Sequence, residues 1–262
     1  MKMAVNDYLN DLYSLEGKVA IITGANQGLG MGYAETYAKA GCDIYIPHFT
    51  PDTDEVRKLV EAQGRRVEFL QGDLSDKDYI QRVIADCLEK FGKIDILVNN
   101  AGANFFAPYD EFPDAKYEMV INVNLNACYF LCHEIGKIMK KQGYGKIINI
   151  GSALSFTADK NCPSYVIAKH GIVGLTRWLC NELGQYNVQT NCVAPGFLAT
   201  AVNQKQREED PTFYNKINDR IAAGRWGVPE DLAGTMIYLA SKASDYVNGW
   251  SISIDGGFTT VL

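Results

Sequence analysis

Lys18-Val19-Ala20-Ile21-Ile22-Thr23-Gly24-Ala25-Asn26-Gln27-Gly28-Leu29-Gly30 decides the fold. The run from Lys18 to Ile22 is apolar, rich in β-branched residues and too short for a helix, so it reads as a buried strand. It stops at glycines spaced Gly-x-x-x-Gly-x-Gly, and an amphipathic stretch from Met31 to Ala40 follows as a helix. Strand, glycine turn and helix together open a dinucleotide-binding unit. In that reading Gly24 permits the tight turn, Gly28 lets backbone N–H groups approach a pyrophosphate, and Gly30 lets the helix lie close on the strand.

Outward from this stretch the alternation continues. Asp43 to Ile46 reads as a second strand, Thr53 to Gln63 as a helix, and Val67 to Leu70 as a third strand ending at Asp73. Asp76 to Phe91 is helical, and the strand Ile94 to Val98 leads into Asn99-Asn100-Ala101-Gly102. Pro113 to Gln142 reads as one long helix, with Asn124 inside its apolar stretch. Lys146 to Ile150 is a fifth strand, Pro163 to Leu183 a helix stopped by Gly184, and Val188 to Val193 a sixth strand. A helix from Pro229 to Ser241 and a last strand from Trp250 to Ile254 complete the chain. The pattern predicts an α/β protein: a single-domain Rossmann fold over residues 1–262, with a doubly wound parallel sheet of about seven strands and helices on both faces. Ligands then bind at the carboxyl ends of the strands. Residues 1–17 read as a short polar arm. Residues 197–224, polar and only loosely periodic, read as a lid over the site or as a peripheral insertion.

The 262 residues are 47% apolar, enough for a full core. A net charge of −6 argues against nucleic acid and anionic membrane as partners. No apolar run approaches the length of a bilayer span, and Asp7, Asp11 and Glu16 stand where a signal peptide is basic and then apolar. A cytoplasmic protein with a small-molecule substrate is expected. Seven cysteines without a Cys-x-x-Cys are distributed as reduced core thiols. Cys128, Cys132 and His133 have the one ligand-like spacing, and no metal is expected there.

The chemistry concentrates between Ser152 and Lys169. Ser152 follows the fifth strand, and Tyr165 and Lys169 stand at i,i+4, on one face of the following helix. An ammonium about 4 Å from a phenolate stabilises it by roughly 4 kcal/mol at an effective dielectric near 20. That is the magnitude a phenol needs to exchange protons near neutrality, so Tyr165 is the candidate general acid/base.

Taken in order, Thr23 to Gly30, Asp73, Asn99 to Gly102, Asn124, Ser152, Tyr165 with Lys169, and Pro195-Gly196 followed by Thr200 resemble the short-chain dehydrogenases/reductases from about Leu15 to Phe258. Tyr165 lies thirteen positions after Ser152, as in that family. The resemblance implies a carbonyl/alcohol oxidoreductase with a nicotinamide cofactor and a tetrad of Asn124, Ser152, Tyr165 and Lys169. Ser152 would donate to the substrate oxygen, Tyr165 would transfer the proton, and Asn124 would hold a water linking Lys169 to solvent. The cofactor would lie along Gly24, Asn26, Gln27, Gly28, Leu29, Gly30 and His48. Asp73 and Leu74 would meet adenine, and Asn99, Asn100, Ala101 and Gly102 would border the adenosine ribose and support the sheet edge. Tyr165, Lys169, Pro195, Gly196 and Thr200 would surround the nicotinamide end. Relatives are usually homotetramers, joined through the helix carrying Tyr165 and the segment from Trp250 to Leu262.

Ile46-Pro47-His48-Phe49 has neither the acid that selects a free ribose 2′-OH nor an arginine that welcomes a 2′-phosphate. The missing cation favours NAD, with NADP open through a protonated His48. Four stretches are similar to the sugar-acid dehydrogenases of the family, those of 2-dehydro-3-deoxy-D-gluconate and gluconate: Gly145 to Ile150, Ser152 to Phe156, Ala223 to Gly227 and Ala243 to Gly249. Those enzymes place two arginines after Asn-Asn-Ala-Gly, where this chain has Ala103-Asn104-Phe105-Phe106. A neutral polyol or a bulkier apolar alcohol is therefore weighed beside a sugar acid. The alternatives are a 3-oxoacyl thioester (acyl-carrier-protein) reductase, with Lys205 and Arg207 receiving the carrier, and a non-catalytic dinucleotide sensor.

Overall fold

The computed structural model describes residues 4–261, without the side chains of Val202, Gln206 and Pro211. A helix α1 (Val5–Tyr13) precedes β1 (Val19–Ile22), α2 (Gly28–Lys39), β2 (Asp43–His48), α3 (Asp54–Glu61), β3 (Val67–Gln71), α4 (Lys77–Phe91) and β4 (Ile96–Asn99). Then come α5 (Asp114–Ile121), α6 (Ala127–Gln142), β5 (Gly145–Ile150), α7 (Pro163–Leu183) and β6 (Val188–Pro195). The short helices α8 (Gln204–Glu209) and α9 (Pro211–Asn218) lead to α10 (Glu230–Ala240) and β7 (Ser251–Ile254).

All seven strands run parallel in the order β3-β2-β1-β4-β5-β6-β7. Every residue of β1, β4, β5 and β6 is buried, because helices cover both faces of the sheet. On one face Tyr33, Tyr37, Val56, Val60, Leu232 and Met236 bring α2, α3 and α10 onto the strands. On the other, Tyr79, Val83, Leu131, Ile135, Ile172 and Leu179 bring α4, α6 and α7. The chain reverses its winding between β1 and β4, so the loops after these two strands open the crevice in which such sheets bind ligands.

Two elements differ from the sequence expectation. The polar arm contains α1, an exposed helix tied down by the Asp11–Lys242 ion pair at 2.6 Å; residues 1–3 of the arm lie outside the described residues. The long helix expected from Pro113 to Gln142 starts at Asp114 and carries a π turn at Asn122–Asn126 between α5 and α6. One extra residue in a turn rotates the helix beyond it, and such turns often mark functional positions. Among the described residues no helix is long and apolar enough to cross a membrane, and no cluster of His, Cys, Asp or Glu is arranged to hold a metal ion. Cys128 and Cys132 are buried while His133 is exposed on the outer side of α6.

Candidate active site

The glycine turn behaves as its spacing predicts. Gly24 has φ +65°, and Gly28 has φ +58°. A Cβ on Gly30 would stand 2.5 Å from Asn100 Nδ2 and 2.7 Å from Ala25 Cα, so only glycine lets α2 sit this close. Gln27 precedes α2 and gives it no side-chain cap, which leaves the first N–H groups of the helix open to an anion. Thr23 then locks this turn to the loop after β4. Its Oγ1 accepts from the Asn100 and Ala101 N–H groups at 3.0 and 2.9 Å, and its carbonyl accepts from Asn100 Nδ2 at 2.8 Å. A cradle of close backbone with unsatisfied donors at a helix start fits a dinucleotide pyrophosphate.

Around the cradle, some side chains named from the sequence do other work. Asn26 donates through Nδ2 to Thr50 Oγ1 at 2.7 Å and to the Thr50 and Asp52 carbonyls. It braces the loop after β2 instead of reaching outward. His48 is only 6% exposed and donates from Nδ1 to the Thr50 carbonyl at 2.7 Å, with its ring edge-on to Phe69. That placement corrects the expectation that His48 faces the ribose, and Phe49 takes the exposed position. Asn99 is buried in the sheet, donating to Asn149 Oδ1 at 2.9 Å; it supports the strand edge and does not line the cradle. Leu74, just beyond β3, is buried, and Asp73 Oδ1 accepts from the Ser75 N–H at 2.8 Å.

The candidate reacting groups come from the end of β5, the π turn and α7. Lys169 is 5% exposed, donates to the Ile150 carbonyl at 2.6 Å, and holds its ammonium 5.4 Å from the centre of the Tyr165 ring. The structure therefore brings the phenol and the amine to one side of the molecule, next to the end of β5. Two residues beyond Ile150, Ser152 accepts from the Leu154 N–H at 3.1 Å, which leaves its own O–H proton to donate. Ser155 closes the other half of this cap by accepting from the Ser152 N–H at 3.1 Å. Asn124 is buried in the π turn, where Oδ1 accepts from the Ala103 N–H and Nδ2 donates to the Ala103 carbonyl, both at 2.7 Å. Its amide is thus turned onto the loop after β4, where it sits 3.1 Å from the position of a Cβ on Gly102.

Sequence reasoning missed two features. A buried amide network joins β4, β5 and α7: Asn149 on β5 meets Asn99 on β4 and donates to Thr176 Oγ1 on α7 at 3.0 Å. The asparagines that interrupt the apolar runs of β4 and β5 hinted at it, since an asparagine inside a buried strand needs a partner. The thiols of Cys128 and Cys192 also flank Lys169. Burial pushes both up to about 11, against the pull of the nearby ammonium, so both are protonated and inert at neutral pH.

The segment beyond Pro195-Gly196 packs back onto the rest of the chain. A Cβ on Gly196 would meet Asp255 Cβ at 2.6 Å, fixing the chain as it leaves β6. Leu198 then bridges to Gly227, and Asn203 Oδ1 accepts from the Thr200 N–H at 3.0 Å. Phe197, Phe213, Tyr214, Trp226 and Phe258 form an aromatic cluster that includes Ala153, the residue after Ser152. Residues 197–224 are therefore anchored beside Ala153 and Ser152.

A serine donor, a tyrosine next to a buried lysine and an open dinucleotide cradle define a nicotinamide-dependent oxidoreductase of the CH–OH group. The family profile described as enoyl-(acyl carrier protein) reductase matches residues 24–259. Over 255 residues, 97% of each chain, the sequence is 43% identical to the uncharacterised oxidoreductase YgcW of Escherichia coli K12. It is 44% identical over 247 residues to the 2-dehydro-3-deoxy-D-gluconate 5-dehydrogenase of the same organism, covering 94% of this chain and 97% of that one. The crystal structure of a gluconate 5-dehydrogenase from Burkholderia cenocepacia J2315, in complex with NADP and tartrate, matches with a TM-score of 0.91 at 32% identity, over 97% of this chain and 100% of the other. The chain belongs to the short-chain dehydrogenase/reductase family. A non-catalytic sensor is set aside, because its named relatives are dehydrogenases and reductases.

Proposed function

We propose that this chain interconverts a secondary alcohol and a ketone on a sugar acid, with Tyr165 as the group that moves the proton. The observation that carries the reading is the Lys169 ammonium, held beside the Tyr165 ring and against the carbonyl of Ile150, which lies two residues before Ser152. Gly24, Gln27, Gly28, Leu29 and Gly30 would hold the pyrophosphate; Asp73 and Leu74 would hold the adenine; Asn100, Ala101 and Gly102 would border the ribose. Lys169, Pro195, Gly196 and Thr200 would border the nicotinamide, which supplies or accepts the hydride. Ser152 donates its free O–H to the substrate oxygen and stabilises the charge that grows there. Tyr165 gives or takes the proton at that oxygen, and the Lys169 ammonium favours its ionised form. Asn124 fixes the loop that carries Asn100 to Gly102, so a water serving Lys169 is not held by the Asn124 amide alone.

The sugar-acid class is supported by the relatives that act on gluconate and 2-dehydro-3-deoxy-gluconate. A 3-oxoacyl carrier protein fits less well. Lys205 pairs with Glu209 at 3.7 Å, so one of the two cations that would receive an acidic carrier is already committed. NAD is the preferred cofactor on this reading, since Phe49 stands where a 2′-phosphate would need a cation, although the Burkholderia relative was crystallised with NADP. We further assign a homotetramer, supported by Tyr129 and Trp178, which stack at 6.0 Å on the outer faces of α6 and α7 while about 40% exposed. A cytoplasmic location agrees with the seven unpaired cysteines.

The test is a panel of sugar acids, polyols, acyl thioesters and steroids with each cofactor, read by absorbance of the reduced nicotinamide. Turnover confined to thioesters or steroids refutes the sugar-acid reading, and a preference for NADP refutes the cofactor choice.

A further inference from the structure

We infer that Arg207 takes the carboxylate of the substrate; this rests on the sugar-acid reading and names the residue that recognises the acid. A sugar acid carries a full negative charge into the cleft, and burying that charge without a cation is costly. The loop from Ala103 to Pro108 contains no cation. Other cations near the site are committed or stand in solvent. Lys169 is held by the Ile150 carbonyl, and Arg225 is gripped by both Asp231 oxygens at 2.7 and 2.8 Å. Lys205 pairs with Glu209, and the exposed Arg220 lies 4.4 Å from the centre of the Phe258 ring. Lys160 and Lys216 are exposed.

Arg207 differs from all of these. It is half-buried, and no described carboxylate lies within ion-pair distance of it. Its guanidinium is instead fixed by neutral acceptors: Nε donates to Asn203 Oδ1 at 3.0 Å and Nη2 to the Thr200 carbonyl at 3.3 Å. Those bonds use one edge of the planar group. Nη1 and the remaining Nη2 proton are left, a pair whose fork matches a carboxylate. Because the acceptors are neutral, the charge is undiminished, and because one edge is held, little rotamer freedom is lost when an anion docks. The anchor is itself fixed: Thr200, whose carbonyl Nη2 grips, lies four residues beyond Gly196, in the segment that Leu198 ties to Gly227 and Asn203 ties to Leu198.

The experiment compares the full-length wild type with Arg207→Gln and Arg207→Lys on D-gluconate, 2-dehydro-3-deoxy-D-gluconate and D-glucitol, in which a hydroxymethyl group replaces the carboxylate of gluconate. The ratio of kcat/KM for acid over glucitol is expected to fall about ten- to hundredfold in Arg207→Gln, through KM, as for a lost charge-assisted pair. Arg207→Lys should lie between, keeping the charge without the fork. A ratio that stays at the wild-type value in both variants, with acid and neutral turnover falling together, overturns the assignment and leaves Arg207 a brace for Thr200. A wild type that turns over neither acid overturns the sugar-acid reading itself, and that failure is visible before any variant is made.

Discussion

A methyl group added at Gly30 would have to displace Asn100 Nδ2 from the Thr23 carbonyl, since the two positions are 2.5 Å apart. Overpacking of this kind costs about 1–3 kcal/mol. Gly30→Ala is therefore expected to lower the denaturant midpoint and weaken dinucleotide binding together; an unchanged midpoint would count against the close packing. Tyr165→Phe should leave binding of the dinucleotide within a few-fold and reduce kcat by about 10²–10⁴, the usual worth of a general acid/base. Single-turnover kinetics with the best substrate check this, and retained activity would remove Tyr165 from its role. Ser152, Tyr165 and Lys169 were legible in the chain because helical spacing puts the last two on one face and the apolar run before Ser152 marks a strand end. His48 and Asn26 were not legible. Their directions depend on the Thr50 carbonyl, supplied by an irregular loop whose path no local pattern announces.

At the level of elements, the boundaries that matched were those with chemical punctuation. Pro163 opens α7 at its first position and Gly184 caps it, so the helix runs over Pro163–Leu183 as the sequence predicts. The π turn had no such mark, since one added residue changes neither composition nor apolar content. Residues 197–224 read as loosely periodic because α8 and α9 are short and held by the aromatic cluster, not by long apolar stripes. The turn from Arg225 to Asp231 that supports this region makes its own prediction. Arg225 holds the Asp231 carboxyl at about 2, below its usual 3.8, chiefly through their hydrogen bonds. A depressed carboxylate stabilises the fold above its unfolded value and loses that contribution as pH falls toward the folded one. The loss of Tm in Asp231→Asn should thus be full near pH 7, shrink below about pH 4 and vanish near pH 2. Thermal melts across that range test it, and a pH-independent gap would show that the effect is not ionic.

For the molecule as a whole, the seven-stranded parallel sheet was the most legible feature, because buried parallel strands read as continuous apolar runs set off by glycine and aspartate turns. Assembly lies beyond a single chain's pattern, and here exposed aromatic surface is the guide. If Tyr129 and Trp178 meet a second copy, Trp178→Glu places a charge in that contact and should shift the mass by light scattering from tetramer toward smaller species. A variant that keeps the wild-type mass would move the contact elsewhere.

The aromatic cluster beside Ser152 also equips the protein with an optical probe of its own. Of three tryptophans, Trp178 and Trp250 are more than 40% exposed, whereas Trp226 is 6% exposed among Phe197, Phe213 and Tyr214. With the two exposed indoles replaced by phenylalanine, the remaining emission should be blue-shifted and should respond to events at the roof of the cleft. Fluorescence from that one side chain would then follow substrate arrival in real time, with no label attached.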